Sequence, residues 1–150
     1  MKLISCLLAL GLMAANIAVA AVDSNDEANA LPPPIHQGNA IFISGGVGKD
    51  EAMAFQRNAD NFPLELEFVM KDAPNYAFLS DVQVTIRDRS GNTVLDTVTD
   101  GPFLLASLPA GTYHVTASND GVVRQTTVAI GSHKHRKAVL VWPNASTADD

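Results

Sequence analysis

The sequence predicts an all-β fold, a sandwich of about seven strands carrying one short helix. Three observations lead there. Apolar side chains recur at every second position in several stretches, as where Leu64, Leu66, Phe68 and Met70 alternate with Glu65, Glu67 and Val69. Alternation of that period gives a strand one dry face and one wet face. Turn-forming clusters punctuate these stretches, among them Asp88-Arg89-Ser90-Gly91-Asn92 and Asn119-Asp120-Gly121, as hairpins require. Hydrophobic residues make up 47% and charged residues 17% of the 150, enough to build one packed core and too apolar for wholesale disorder. A dry face cannot be left in water, so the strands need an opposing layer.

The chain opens on Lys2 and an apolar run over residues 3–15, then Ala18-Val19-Ala20-Ala21. A basic start, a run too short for a bilayer about 30 Å thick and an Ala-x-Ala site predict a cleavable signal peptide over residues 1–20. The protein is therefore expected to be periplasmic or secreted, with no transmembrane segment after processing. Cleavage removes the only cysteine, Cys6, which excludes thiol catalysis and disulfides from the processed chain. Residues 21–38 are polar and broken by Pro32-Pro33-Pro34, the composition of a flexible leader segment. The folded domain is expected over 39–143, with 144–150 as a disordered tail.

Within the domain a first strand, 39–44, precedes Gly45-Gly46-Val47-Gly48. Ala52, Met53 and Phe55 give residues 51–58 an apolar side at helical spacing, with Asp50 placed to cap the exposed amides. So short a helix does not hold alone in water; it is expected to lie on the sandwich as a lid over one open end. Further strands follow at 64–70, 82–87, 93–99, 112–118, 122–130 and 138–142. In 93–99 either Val94/Val98 or Leu95/Thr97 can face inward, an ambiguity that a bulge or an edge position would reconcile.

The stretch from Gly101-Pro102-Phe103 through Leu108-Pro109-Ala110-Gly111-Thr112-Tyr113-His114-Val115 resembles the repeat of carboxypeptidase regulatory-like domains and their transthyretin-like relatives. The shared pattern is a Gly, an aromatic, a Leu before Pro-x-Gly, and Tyr-x-Val entering a strand. It spans residues 79–130, about a third of the chain, and the flanks are similar to those of small exported bacterial proteins carrying such a domain. The resemblance implies a Greek-key, transthyretin-like (prealbumin-like) sandwich. It also implies a structural motif of Gly101, Phe103, Leu108, Pro109, Gly111 and Tyr113. On physical grounds Leu108 and Phe103 would plug the core and Gly111 would take a conformation that resists a side chain. The Tyr113 hydroxyl would reach backbone near the rim. In the peptidases that carry such domains the catalytic groups lie elsewhere, so the resemblance brings no activity with it.

Candidate chemistry is sparse. Lys49 ends a glycine-rich stretch, but Ile43 and Asp50 occupy the places where a phosphate loop needs Gly and Ser/Thr; a structural turn is the simpler reading and an anion contact the alternative. His133-Lys134-His135-Arg136-Lys137 is the densest basic patch. If extended, it sets His133 and His135 on one face about 7 Å apart, two possible metal ligands of the about four a closed zinc site needs. Lys134, Arg136 and Lys137 could equally meet an anion, and a solvated loop is the simplest reading. Glu65 and Glu67 are expected on an exposed strand face, and His114 among polar neighbours. The net charge of −6 argues against nucleic acid as a partner. The sequence thus points to a non-catalytic exported module, without cofactor, for protein binding, envelope assembly or structural support. Its partner is an envelope or extracellular protein of unknown identity and its oligomeric state is open. The rival is a small periplasmic metal or solute carrier using His133 and His135.

Overall fold

The alternating stretches pair into two sheets whose dry faces meet. A computed structural model describes residues 30–144; the expected signal peptide, residues 21–29 of the leader segment and residues 145–150 of the tail lie outside the described residues. The first sheet contains β1 (Ile35–Gln37), β2 (Ala40–Gly45), β3 (Leu64–Asp72), β4 (Asn75–Phe78), β7 (Phe103–Ser107) and β10 (Arg136–Trp142). Its order is β1-β2-β7-β3-β10, with β4 also on β3. The second sheet, in order β6-β5-β8-β9, contains β5 (Gln83–Asp88), β6 (Thr93–Val98), β8 (Gly111–Asn119) and β9 (Val122–Ile130). All pairings are antiparallel except β3 with β10.

Between the sheets lie Phe42, Leu64, Leu66, Phe68 and Leu104 from one side and Val84, Ile86, Leu95 and Val115 from the other. These are the every-second residues of the sequence pattern. The hairpin expected at Asn119-Asp120-Gly121 forms with Asp120 at φ 47° and Gly121 at φ 79°, the pair of positive angles that matches strand twist. Gly91 likewise takes φ 86° in the β5–β6 turn.

The all-β sandwich holds, with ten strands among the described residues instead of about seven. One addition, β1, falls in the stretch read as a flexible leader. Gly38, at φ 54°, turns the chain so that Ile35 pairs with Phe42 and Gln37 with Ala40. The folded unit therefore begins before residue 39. β7 is the second addition, and its Phe103, Leu104, Leu105 and Ala106 are all buried. Leu104 and Ala106 face the main core, while Phe103 and Leu105 face the opposite way.

That second dry face explains the helix. α1 (Lys49–Asn58) packs Phe55 against Ile43, Phe103 and Leu105, with the Phe55 and Phe103 rings stacked at 6.0 Å. It covers the outer face of β2 and β7, not an open end as the sequence reading had it. Gly48, not Asp50, is its N-cap, and Glu51 accepts a hydrogen bond from the Gly46 amide at 3.1 Å. Gly45 and Gly46 are therefore structural: a Cβ on Gly46 would meet the Phe103 ring. In β6, Leu95 is buried and Val98 exposed. A register shift after Ile86 leaves Val94 as the extra residue of this edge strand.

Candidate binding edge

α1 covers only half of the six-stranded sheet. On the uncovered half, β3 and β10 run parallel, with Lys137 opposite Glu65, Val139 opposite Glu67 and Val141 opposite Val69. Arg136 donates its amide to the Pro63 carbonyl at 2.8 Å. In a parallel ladder this turns the main-chain groups of Arg136, Ala138, Leu140 and Trp142 toward β3. Those of Lys137, Val139 and Val141 consequently point away, to the open side of the sheet. The same three residues carry their side chains on the outer face, where Val139 and Val141 are 49% and 38% exposed. Phe78, on β4, is also exposed and lies 5.5 Å from the Phe103 ring.

The other edges are blunted, each by a device known to limit strand pairing. β1 and β4 have three and four residues, and prolines without N–H groups precede β1. β6 is capped by Gln37, whose amide donates to the Asp96 carbonyl and accepts from the Asp96 amide, both at 2.8 Å. β9 points the partly buried Arg124 inward. β10 is seven residues long; its outward Lys137 is drawn back onto Glu65 and Glu67 of β3, and Val139 and Val141 follow without a charge or a side-chain cap among the described residues. A groove of about 470 Å³ runs along it, bounded by Thr127 and Ala129 of β9 and by Arg136 and Val139 of β10.

Charged side chains hold β10 in place. Lys137 Nζ lies 2.8 Å from Glu67 and 3.2 Å from Glu65. The hydrogen bond to Glu67 raises the Lys137 ammonium above its ordinary 10.5, partial burial pulls against it, and Glu65 adds to the rise. His135 sets Nε2 3.0 Å from Glu65 and Nδ1 2.8 Å from the Phe62 carbonyl. Glu65 is thus buried at 5% exposure, not on an exposed face as its sequence position suggested. Its partners, His135 and Lys137, lie some seventy residues further along the chain, at the start of β10.

This placement changes the reading of the basic patch. Residues 131–135 form a turn with His133 at φ 62°, so the extended geometry that would align His133 and His135 is absent. His133 is exposed, while both ring nitrogens of His135 already face protein acceptors. Among the described residues no three His, Cys, Asp or Glu side chains gather as a metal site. Lys137 is committed to two carboxylates and Arg136 turns the other way, its Nε donating to Ala129. Lys134 and Lys49 are exposed and lie apart, at the turn before β10 and the start of α1.

The motif residues gather at the β7–β8 connection. Phe103 and Leu108 are buried, though Phe103 faces the helix and not the main core. The Tyr113 hydroxyl donates to the Pro109 carbonyl at 2.7 Å; burial, with Asp88 adding, raises this phenol above 10.0. Gly101 is needed because a Cβ there would run into the Gly45 backbone. Gly111 corrects the sequence reading. It starts β8 without a positive φ, and a Cβ on it would meet the Tyr113 ring at an ordinary 3.7 Å. No helix among the described residues is long and apolar enough to cross a membrane. Comparison with known proteins finds no family model and no curated protein that matches this chain.

Proposed function

We propose that the protein is a non-catalytic, exported β-sandwich module that binds a partner protein by taking one of its strands along β10. The observation that carries this reading is the open edge itself. Three successive outward-facing residues, Lys137, Val139 and Val141, offer main-chain groups that are unpaired among the described residues, beside exposed valine side chains. Strand addition draws affinity from main-chain bonds and specificity from alternate side chains, and this edge supplies both. The ion pairs from Lys137 to Glu65 and Glu67 brace the edge from within the sheet. Export rests on the Lys2-led apolar run and the Ala18-Val19-Ala20 site. A kinship with carboxypeptidase regulatory-like and transthyretin-like domains rests on the 101–115 motif, and it would place this chain among the modules that accompany other activities.

A photo-crosslinking residue at Val139, introduced in the native envelope, is expected to capture one protein. Val139→Pro removes an outward amide that the β3 ladder does not use, a position where edge proline is tolerated. It is expected to abolish that complex while leaving the melting temperature nearly unchanged, and Val139→Lys is expected to do the same. A complex indifferent to both substitutions would overturn the reading.

A further inference from the structure

The outer face of the four-stranded sheet belongs to neither the core nor the β10 edge, and it carries a groove. We propose that it binds a sugar bearing a carboxylate group, in a groove of about 450 Å³ lined by Arg87, Gly91, His114, Thr116, Gln125 and Thr127.

The register builds the site. Arg87 of β5, His114 of β8 and Thr127 of β9 stand side by side in one row, with Thr116 and Gln125 paired in the next. The β5–β6 register shift lies between Ile86 and Arg87. Bulges bend and twist a strand pair and re-aim the side chain beside them. Here the shift falls at Arg87, and the turn beyond it brings Gly91 to the rim.

The chemistry of the lining is unusual for this chain. Acidic residues outnumber basic ones 16 to 10, yet the groove contains Arg87 and His114 and neither Asp nor Glu. Among the described residues Arg87 is in no ion pair. A free guanidinium presents a planar fork that matches a carboxylate with two parallel hydrogen bonds. His114 is oriented by the contact of Nδ1 with the Thr127 hydroxyl at 3.1 Å, which leaves Nε2 facing away from that bond. The hydroxyls of Thr116 and Thr127 and the amide of Gln125 each both donate and accept, as the hydroxyls of a sugar do. The lining offers no aromatic ring for stacking, so recognition rests on polar contacts, and binding is expected to be weak and to fall with salt.

Amide-resolved NMR titration of the folded protein with sodium glucuronate tests this, with glucose and sodium acetate as controls. Saturable shifts are expected at Arg87, His114 and Thr127, with apparent affinity at least about tenfold lower for either control. Arg87→Gln, and separately Gln125→Ala, should weaken glucuronate binding without moving the melting temperature, since both side chains are exposed. Three results would overturn the proposal: no saturation, acetate matching glucuronate on the same amides, or undiminished binding by both variants.

Discussion

Lys137 sets its ammonium between two carboxylates of the neighbouring strand β3. The sequence marks it as basic, but only the β3–β10 register reveals that Glu65 and Glu67 already hold it. Those carboxylates raise its proton affinity on balance, so folding favours the charged form. The associated stability is present below the unfolded value near 10.5 and is lost as pH rises through the higher folded value. Thermal melts from pH 9 to 12 should therefore fall more steeply for the native protein than for Lys137→Met; parallel curves would contradict the bridge. At neutral pH Lys137→Met should itself lower the midpoint, by leaving two adjacent carboxylates, and adding Glu67→Gln should restore part of the loss. The glycines divide on similar grounds. Gly101→Ala forces a Cβ into the Gly45 backbone and should cost about 2–3 kcal/mol in urea denaturation. Gly111→Ala should stay within about 0.5 kcal/mol, because its Cβ would make only an ordinary contact. The motif pattern gives both glycines equal weight; only the packing separates them.

At the scale of elements, legibility tracked how many faces of a strand are wet. β5, β8 and β9 alternate because one side meets water, and their expected spans differ from the observed ones by a residue at most. β7 is not legible as a strand because both of its sides are dry, and a run without alternation carries no strand period. The short β1 and β4 were missed for a different reason: their partners, β2 and β3, supply the pairing that three or four residues cannot specify alone. The helix was legible in place but not in role, since its role depends on β7. Leu105→Ala tests that role. It empties a buried position between β7 and α1 and should cost about 2–5 kcal/mol, with helix amides 49–58 losing hydrogen-exchange protection before those of the second sheet. Uniform loss across both sheets would show that α1 is not held through β7.

For the molecule as a whole, the account rests on asymmetry between its edges. Among the described residues the sandwich shortens its other edges, caps them or turns a charge inward on them, whereas the Val139–Val141 stretch of β10 stays unpaired on one side, beside a sheet face that α1 does not cover. Nothing in the local sequence of β10 announces this; an open edge is defined by what other strands fail to cover. Residue-resolved hydrogen exchange reads it directly. In the isolated protein the amides of Ala138, Leu140 and Trp142 should be protected by the β3 ladder, while those of Val139 and Val141 exchange freely. In the complex with the protein captured at Val139, the outward pair should slow to match its neighbours. Outward amides that still exchange freely in that complex, or that are already protected in the isolated chain, would contradict strand addition at β10.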